Sequence, residues 1–528
     1  MPSSPTSETV IAARRRTVAH TTPDQSHPGP LPEVRLQLHR LADALSGTLL
    51  LCMVVFGPWA FGTTPNWTIQ VMNWSGYALG VLLLGKWFLR ALGGLPAHVG
   101  VALEPGPGLG RRLERLLGFV TVLILAYTFL GAWNARALYE PETWSFRYRD
   151  AIRWLPHSYD AASSWRMFGM YLGLAGLFWG ARDWLRQPWR TPGEHAGQGD
   201  SLAAPGRSSR LRLLLWVLSV NGALVALQGI IQRVEGSEKL LWLVAPRVNQ
   251  DPVSFFGPFA YRANASQYLN LIWPVTLGFW WGCQQLALRR QQQGHGSSRR
   301  HHLLISCVAL MAVGPIVSTS RGGALVTAGL VVVAVGAIGL LRWRSTAGSK
   351  LVVLVLLGVS VGMALLLGWQ DLGPRFEGIQ ESYWQRESIY MTGRRMADEH
   401  AVFGTGAGTL SSLFQLYRRS EVEYWPAQLH NDWLETLVTF GWVGTGLLLL
   451  ALLLAATRWL VPGGLPAPPL FGFLVCGALA GCLIHARFDF PLQIHSILAL
   501  FLVLCATLSC LGRADISSGH SELRGRNG

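Results

Sequence analysis

A histidine precedes a long apolar run in the stretch HNDWLETLVTFGWVG, residues 430–444. Imidazole is the side chain best suited to take a proton near neutral pH, so His430 is a candidate general base. A structural role is the alternative, because Asp432 and Glu435 are three residues apart and match a capping box that opens a helix. The capping box does not account for His430 or Asn431.

Two arginines stand where apolar runs begin or turn. Arg321 lies in PIVSTSRGGALV, residues 315–326, and Arg262 lies in FFGPFAYRANASQYLNLIWPV, residues 255–275. A guanidinium group matches phosphate oxygens with two parallel hydrogen bonds, so an anionic headgroup is the expected ligand. The alternatives are an arginine that extends its charge to the membrane surface and a rim charge beside an N-cap residue such as Asn264.

A third stretch, GRRMADEHAVFGTGAGTL at residues 393–410, joins Arg394 and Arg395 to a glycine-rich turn. A helix is predicted around residues 380–399. The two arginines are either on the solvated face of that helix or additional phosphate ligands.

The composition indicates a membrane protein, since 50% of the 528 residues are hydrophobic and 14% are charged. Apolar runs of about 17 to 22 residues recur, which is the length that crosses the hydrocarbon of a bilayer. We predict an all-α polytopic fold with twelve spans, at 43–62, 69–89, 116–133, 165–181, 213–232, 266–283, 303–318, 323–341, 351–368, 434–457, 468–486 and 491–511.

The charge distribution fits cytoplasmic termini. Segments on that side hold 27 Lys and Arg against 11 Asp and Glu, and the segments outside hold 17 against 18. The net charge of +15 therefore reflects topology and gives no reason to expect a nucleic-acid partner.

Five regions are predicted along the chain. They are a disordered basic cytoplasmic tail at 1–42, spans one to nine at 43–368 with outside loops near 134–164 and 233–265, an outside loop domain at 369–433, spans ten to twelve at 434–512, and a cytoplasmic tail at 513–528.

A metal site is not expected. His301 and His302 are adjacent, but no further ligands follow at a supporting spacing. No cofactor is predicted.

These stretches together resemble the O-antigen ligase and polymerase superfamily over roughly residues 210–450. The ligase pattern is His, then Asn, Ser or Gln, nine residues, Gly, two residues and a small residue. His430-Asn431, DWLETLVTF, Gly441, Trp442-Val443 and Gly444 fit it throughout.

The other motifs of the superfamily follow in order. STSRGG resembles its Ser-Arg-Gly turn, GPFAYRAN is similar to its GPF-x-N-x-N segment, and the stretch at 393–410 resembles its arginine and GxGxGT segment. Tyr261 and the run Ala265-Ser266 depart from the pattern, where many relatives carry Asn and a bulky aromatic residue.

The resemblance implies a helical membrane fold of the glycosyltransferase C type in the bacterial inner membrane, with a large periplasmic helical loop between the ninth and tenth spans. It implies metal-independent, inverting transfer of a glycan from a polyprenyl (undecaprenyl) diphosphate to an acceptor hydroxyl at the periplasmic face. The acceptor is lipid A core in a ligase and a second lipid-linked glycan in a surface polysaccharide polymerase.

The resemblance also implies roles for individual residues. His430 is the expected catalytic residue with Glu435 as its support, and the expected diphosphate ligands are Arg262, Arg321, Arg394 and Arg395. Expected supporting residues are Asn264, Ser320, Gly322, Asn431 and Arg166.

Alternative functions remain open at this stage. The sequence does not separate ligase from polymerase or from a protein O-oligosaccharyltransferase. A flippase or transporter for lipid-linked glycans needs charged groups that line a path within the spans, whereas the polar motifs here collect at one face.

Overall fold

A computed structural model describes residues 30–93, 108–186, 209–246, 250–294, 300–340, 378–418, 425–461 and 465–512, with individual positions between 351 and 377. The described chain is mainly helical. Its helices are α1 (Pro30–Trp59), α2 (Asn66–Ala91), α3 (Leu109–Trp133), α4 (Ala161–Arg186), α5 (Ser209–Glu235), α6 (Arg262–Gln292), α7 (Leu303–Val317), α8 (Arg321–Leu340), α9 (Ile379–Glu399), α10 (Leu410–Leu413), α11 (Asp432–Arg458), α12 (Pro469–His485) and α13 (His495–Cys510).

Short strands accompany the helices. An antiparallel hairpin of β1 (Ala137–Glu140) and β2 (Ser145–Tyr148) pairs Ala137 with Tyr148, and β3 (Leu465–Pro466) runs parallel to β4 (Leu511–Gly512). Single 3₁₀ turns lie at Phe61–Thr63, Pro252–Ser254, Arg300–His302, Phe414–Leu416 and Pro491–Gln493.

The structure supports a multi-pass membrane protein. Six stretches are long and apolar enough to cross a bilayer, namely Glu33–Trp59, Leu109–Trp133, Ser209–Glu235, Arg300–Val317, Arg321–Gly339 and Asp432–Arg458. α2, α4 and α6 also coincide with predicted spans, and α12 and α13 are shorter apolar helices. The predicted ninth span at 351–368 falls mostly outside the described residues, so the count of twelve stays a prediction.

Some boundaries differ from the sequence prediction. α1 begins at Pro30, so residues 30–42 are helical and do not belong to a disordered tail. Hydrophobic residues recur at helical spacing in this segment, before the apolar run predicted at 43–62. Residues 1–29 and the predicted tail at 513–528 lie outside the described residues. α9 agrees with the helix predicted around 380–399.

α6 lies at the centre of the helix packing. Its residues from Ala263 to Gly282 are all buried, including the large side chains of Trp273, Trp280 and Trp281. Asn270 donates to the carbonyl of Gly323 at 3.0 Å, which satisfies polar groups that the bilayer interior cannot hydrate. α6 thereby fixes Arg262, its first residue, against α8.

Glycines bring α2 and α4 into close contact. A Cβ at Gly76 would meet the backbone of Gly173, and a Cβ at Gly176 would meet that of Gly76. Because lipid tails are as apolar as helix surfaces, close backbone packing of small residues is a main source of helix association in a membrane.

Buried ion pairs join the helices where α2 and α4 end and α5 begins. Lys86 lies 2.6 Å from Asp183 and 3.3 Å from Asp43. Arg90 lies 2.7 Å from Asp183, and Arg210 pairs with the other oxygen of Asp43. We call these five residues the Lys86 network.

A second buried group lies on α3 and α4. Glu114 contacts Arg182 at 2.6 Å and Arg186 at 2.7 Å. Each of these charges has a close partner of opposite sign, as buried ions require.

Candidate functional site

His430 forms a hydrogen-bonded pair with a carboxylate that follows it by 59 residues. Its Nδ1 lies 3.1 Å from Oδ1 of Asp489, in the turn between α12 and α13. A carboxylate on Nδ1 leaves Nε2 as the ring nitrogen that can accept a proton from another molecule. The imidazole is 22% exposed, so another molecule can reach it.

Asp489 is held on both oxygens. The hydroxyl of Tyr261 donates to Oδ2 at 3.0 Å, and the backbone N–H of Phe490 donates to Oδ1 at 3.1 Å. Burial works to raise the pKa of Asp489, but the hydrogen bond and charge of His430 and the charge of Arg386 outweigh it and hold the pKa below its ordinary value. The carboxylate therefore stays ionised at neutral pH.

Aromatic rings and a strained backbone fix the imidazole. Tyr261 and Phe490 stack with ring centroids 5.3 Å apart, and the centroids of Phe490 and the His430 imidazole lie 4.8 Å apart in a T-shaped arrangement. His430 has a φ of +53°, which is unfavourable for a residue with a side chain. The hydroxyl of Tyr390 donates to the carbonyl of His430 at 3.0 Å and helps to hold this conformation.

Three arginines near this pair donate to backbone carbonyls. Arg262 contacts the carbonyl of Val253 at 2.7 Å, and Arg321 contacts that of Arg375 at 2.8 Å. Arg386, on α9, contacts the carbonyl of Phe488 at 2.7 Å, one residue before Asp489. Each carbonyl contact helps to fix the orientation of its guanidinium group.

The positive charges lie close enough to act on one another. Arg375 repels both Arg262 and Arg321 electrostatically, and Arg386 repels Arg321. Burial works to lower the pKa of Arg386, but the charge of Asp489 outweighs it and raises the pKa above the ordinary value. We call Arg262, Arg321, Arg375 and Arg386 the arginine cluster.

No sequence motif marked Asp489, Arg386, Arg375 or Tyr390 as a site residue. Arg386 and Tyr390 lie in the predicted helix of the large loop, four residues apart and hence on one helix face. Asp489 is an acidic residue at the mouth of an apolar run, which was the available signal for it.

The prediction that Asp432 and Glu435 form a capping box is wrong, because the N-cap lies one residue earlier. Asn431 is the N-cap of α11, and its side-chain oxygen accepts from the N–H of Leu434 at 3.2 Å. Glu435 instead accepts from the N–H of Leu429 at 2.9 Å. The carboxylate on the imidazole belongs to Asp489, so Glu435 supports His430 only through the backbone that precedes it.

The turn STSRGG is built for close packing. Ser320 accepts from the N–H of Gly323 at 3.1 Å at the start of α8. A Cβ at Gly322 would meet the imidazole of His485 at 2.7 Å, and one at Gly323 would meet Ser266. Protein side chains therefore occupy the space beside both glycines.

Two predicted supporting residues lie near the N-terminal ends of helices. Asn264 is buried at the start of α6, where Tyr261 is the N-cap. Arg166, at the start of α4, donates to Ser163 at 2.8 Å.

Arg394 and Arg395 form ion pairs on the surface of α9. Arg394 lies 3.5 Å from Glu387, and Arg395 lies 3.2 Å from Glu399. Both arginines are more than half exposed. Each has a carboxylate partner, in contrast to the carbonyl contacts of Arg386 on the same helix.

The glycine-rich segment 403–410 fills a break in α11. Gly441 has φ +59° and ψ −170°, a conformation essentially restricted to glycine. The N–H of Thr405 donates to the carbonyl of Val438 at 2.8 Å, and the N–H of Trp442 donates to the carbonyl of Ala401 at 2.8 Å. The glycine of the His-Asn motif therefore opens the helix for this loop, and the loop fixes the segment that begins at His430.

The same loop rests on the stretch LPHSYDAASSW, residues 155–165. Ser164 donates to the carbonyl of Ala407 at 2.8 Å, and the N–H of Tyr159 donates to the carbonyl of Thr405 at 3.1 Å. Residues 155–165 therefore help to hold the glycine-rich segment in position.

Residues 306–450 match the family model described as O-antigen ligase. No match to the chain was found among curated proteins. The matched range includes Arg321, Arg386 and His430, whereas Arg262 and Asp489 lie on either side of it. The match confirms the resemblance found in the sequence.

Proposed function

We propose, from the match of residues 306–450 to the O-antigen ligase family model, that this protein transfers a glycan from polyprenyl diphosphate to an acceptor hydroxyl. The reaction takes place at the periplasmic face of the bacterial inner membrane. The observation that carries the proposal is the pair of His430 and Asp489 beside the arginine cluster.

The arginine cluster binds the diphosphate and stabilises it as it leaves. Negative charge grows on the diphosphate as its bond to the sugar breaks, and preorganised cations there lower the barrier without reorganisation. In this proposal Arg375 and Arg386 replace Arg394 and Arg395 as ligands, since the latter pair is exposed and bound to glutamates.

His430 is the general base. Its Nε2 accepts the proton of the acceptor hydroxyl while the hydroxyl oxygen attacks the anomeric carbon from the side opposite the diphosphate, with inversion. Asp489 stabilises the imidazolium that forms, as a buried carboxylate partner does for a catalytic histidine. The residues perform these steps without a metal ion.

The test is transfer in proteoliposomes that contain the full-length protein and labelled polyprenyl diphosphate glycan. Label that moves to added lipid A core identifies a ligase, and a ladder of longer lipid-linked chains identifies a polymerase. His430→Ala is expected to lower the transfer rate about 10²–10⁴-fold, the usual contribution of a general base.

His302→Ala is the matched control, since His302 is exposed and precedes α7, far along the chain from the motif. Full activity of His430→Ala removes the general base from the proposal. Label that crosses the bilayer unchanged in attachment favours a transporter instead.

A further inference from the structure

The C-terminal end of α12 connects several parts of the site. The carbonyl of Phe488 accepts from Arg386 of α9 at 2.7 Å, and the carbonyl of Ala486 accepts from the N–H of Asp432 at 2.8 Å, at the start of α11. The same segment carries the carboxylate that holds the imidazole. It lies outside the range that matches the family model. We call residues 485–489 the α12 turn.

His485 fixes the start of the α12 turn. Its carbonyl accepts the N–H of Phe488 at 2.9 Å and the N–H of Asp489 at 3.0 Å. Its side chain is 1% exposed, and the imidazole is buried between α6 and α8. One residue therefore holds the backbone of Asp489 and also contacts the two helices that begin with Arg262 and Arg321.

On α6, the imidazole of His485 bonds to a buried amide. Its Nδ1 lies 2.8 Å from Oε1 of Gln267, and both side chains are buried. An amide oxygen only accepts hydrogen bonds, so Nδ1 carries the ring proton. Gln267 follows Arg262 by five residues on α6. The bond therefore fixes the α12 turn relative to the first arginine of the cluster.

On α8, the same imidazole packs against the residue that follows Arg321. A Cβ at Gly322 would lie 2.7 Å from Nε2 of His485, so the ring contacts the backbone there. Nε2 is buried and has no hydrogen-bond partner among the described residues. A protonated ring would direct a second N–H at Gly322 without an acceptor, which is costly in a buried position. The neutral ring therefore contributes position to the arginine cluster and no charge.

We propose that His485 is a positioning residue, which fixes the turn that carries Asp489 against the start of α6 and the start of α8. This role depends on the glycosyl transfer proposed above. It requires a histidine at the end of an apolar helix, since a leucine could fill the volume but could not donate to Gln267. Base and leaving-group ligands must be placed accurately relative to each other, because a displacement of about 1 Å can lower a rate roughly 10²-fold.

Two variants of the full-length protein test this role by single-turnover transfer in proteoliposomes. His485→Leu removes the donor to Gln267, whereas His485→Asn places an amide N–H near the position of Nδ1. We expect His485→Leu to lower the transfer rate about 10-fold to 10²-fold, and His485→Asn to recover most of that loss. A wild-type rate in His485→Leu overturns the proposal, and so does an equally low rate in the two variants.

A second pair of histidine and glutamine on α6 provides the matched control. His301 is also buried, and its Nε2 lies 2.7 Å from Oε1 of Gln284, near the other end of α6. His301→Leu breaks the same kind of hydrogen bond far along the helix from Gln267. It should lower the unfolding temperature as His485→Leu does, with an unchanged transfer rate per folded molecule. An equal loss of transfer in His301→Leu would show a general effect of stability and overturn the proposal.

The reactivity of His430 measures its position without a transfer assay. Diethyl pyrocarbonate acylates unprotonated imidazole nitrogens, and mass spectrometry of the peptide that contains His430 gives the rate. If the α12 turn moves, Asp489 no longer holds the imidazole, so the rate should rise severalfold in His485→Leu and stay unchanged in His301→Leu. An unchanged rate in His485→Leu overturns the positioning role. Absence of transfer by wild type to any acceptor contradicts the proposed function instead and leaves this comparison valid.

Discussion

The two ends of the helix bundle treat buried positive charge in different ways. In the Lys86 network the cations contact carboxylates directly, with Lys86 2.6 Å from Asp183. In the arginine cluster, Arg262, Arg321 and Arg386 donate to carbonyl groups. Direct pairing with carboxylates makes the first group a link between helices, whereas carbonyl contacts fix the orientation of the guanidinium groups in the second.

After His430→Ala, removal of a guanidinium group from the arginine cluster should have the largest effect on transfer. Arg321→Ala is expected to lower the rate about 10²–10³-fold because a donor to the leaving group is lost. Arg321→Lys keeps the charge but not the planar fork, so it should restore only part of the rate. Single-turnover assays in proteoliposomes measure both. Normal transfer by Arg321→Lys would show that two-point recognition is not required.

A change of Asp489 should alter the pH dependence of transfer. The pKa of Asp489 is held low, so its carboxylate is ionised from neutral pH down to its folded pKa, and the stability it contributes is lost only as pH falls through that value. Asp489→Asn removes the anion beside His430 and disfavours the protonated ring. The acid limb of kcat against pH should move to lower pH. An identical profile in Asp489→Asn and wild type would exclude this electrostatic role.

The Lys86 network should affect stability and not chemistry. Lys86→Met removes the cation that Asp43 and Asp183 share. Arg210 and Arg90 still contact these carboxylates. The free energy of unfolding should therefore fall by less than the ~3–5 kcal/mol that loss of one member of an isolated buried ion pair costs. Thermal unfolding in detergent should occur at a lower temperature, while the transfer rate per folded molecule stays normal. If Lys86→Met lost transfer activity while keeping wild-type stability, the Lys86 network would have a role in catalysis and the contrast with the arginine cluster would be wrong.

Arg395→Ala should have the smallest effect of all. Arg395 and Glu399 form an exposed pair within one helix, and such pairs contribute little to stability. Both the unfolding temperature and the transfer rate should match wild type in the assays used for Lys86→Met and Arg321→Ala. A large loss of transfer would return Arg395 to the set of donor ligands.

The sequence predicted the parts of this site that lie within local motifs. His430, Arg262 and Arg321 stand at the ends of apolar runs, and length and hydropathy locate such ends well. The helix around 380–399 was also predicted, but the side chain on its inner face, Arg386, was not. Which face of a polar helix points inward depends on its packing partners.

Contacts between residues distant in the sequence could not be predicted from local motifs. Asp489 reaches His430 because α11 and α12 return the chain to the same end of the bundle, and no local pattern encodes that contact. The conformation of Gly441 was equally inaccessible, since it depends on a loop 35 residues earlier that inserts its own N–H groups. Both features require the packed structure.

Because the helix is interrupted at Gly441, the nine-residue interval of the motif determines the distance and the rotation between Gly441 and His430. The loop at 401–406 clamps one end of this helical segment, and the imidazole extends from the other end. Each residue of an α-helix contributes about 1.5 Å of length and a rotation of roughly 100°. One inserted alanine would therefore turn the His430 side chain away from Asp489. Four inserted residues would restore its direction approximately but would displace it by about 6 Å along the helix axis. His430 therefore has both the position and the orientation needed to contact Asp489 only at the natural spacing.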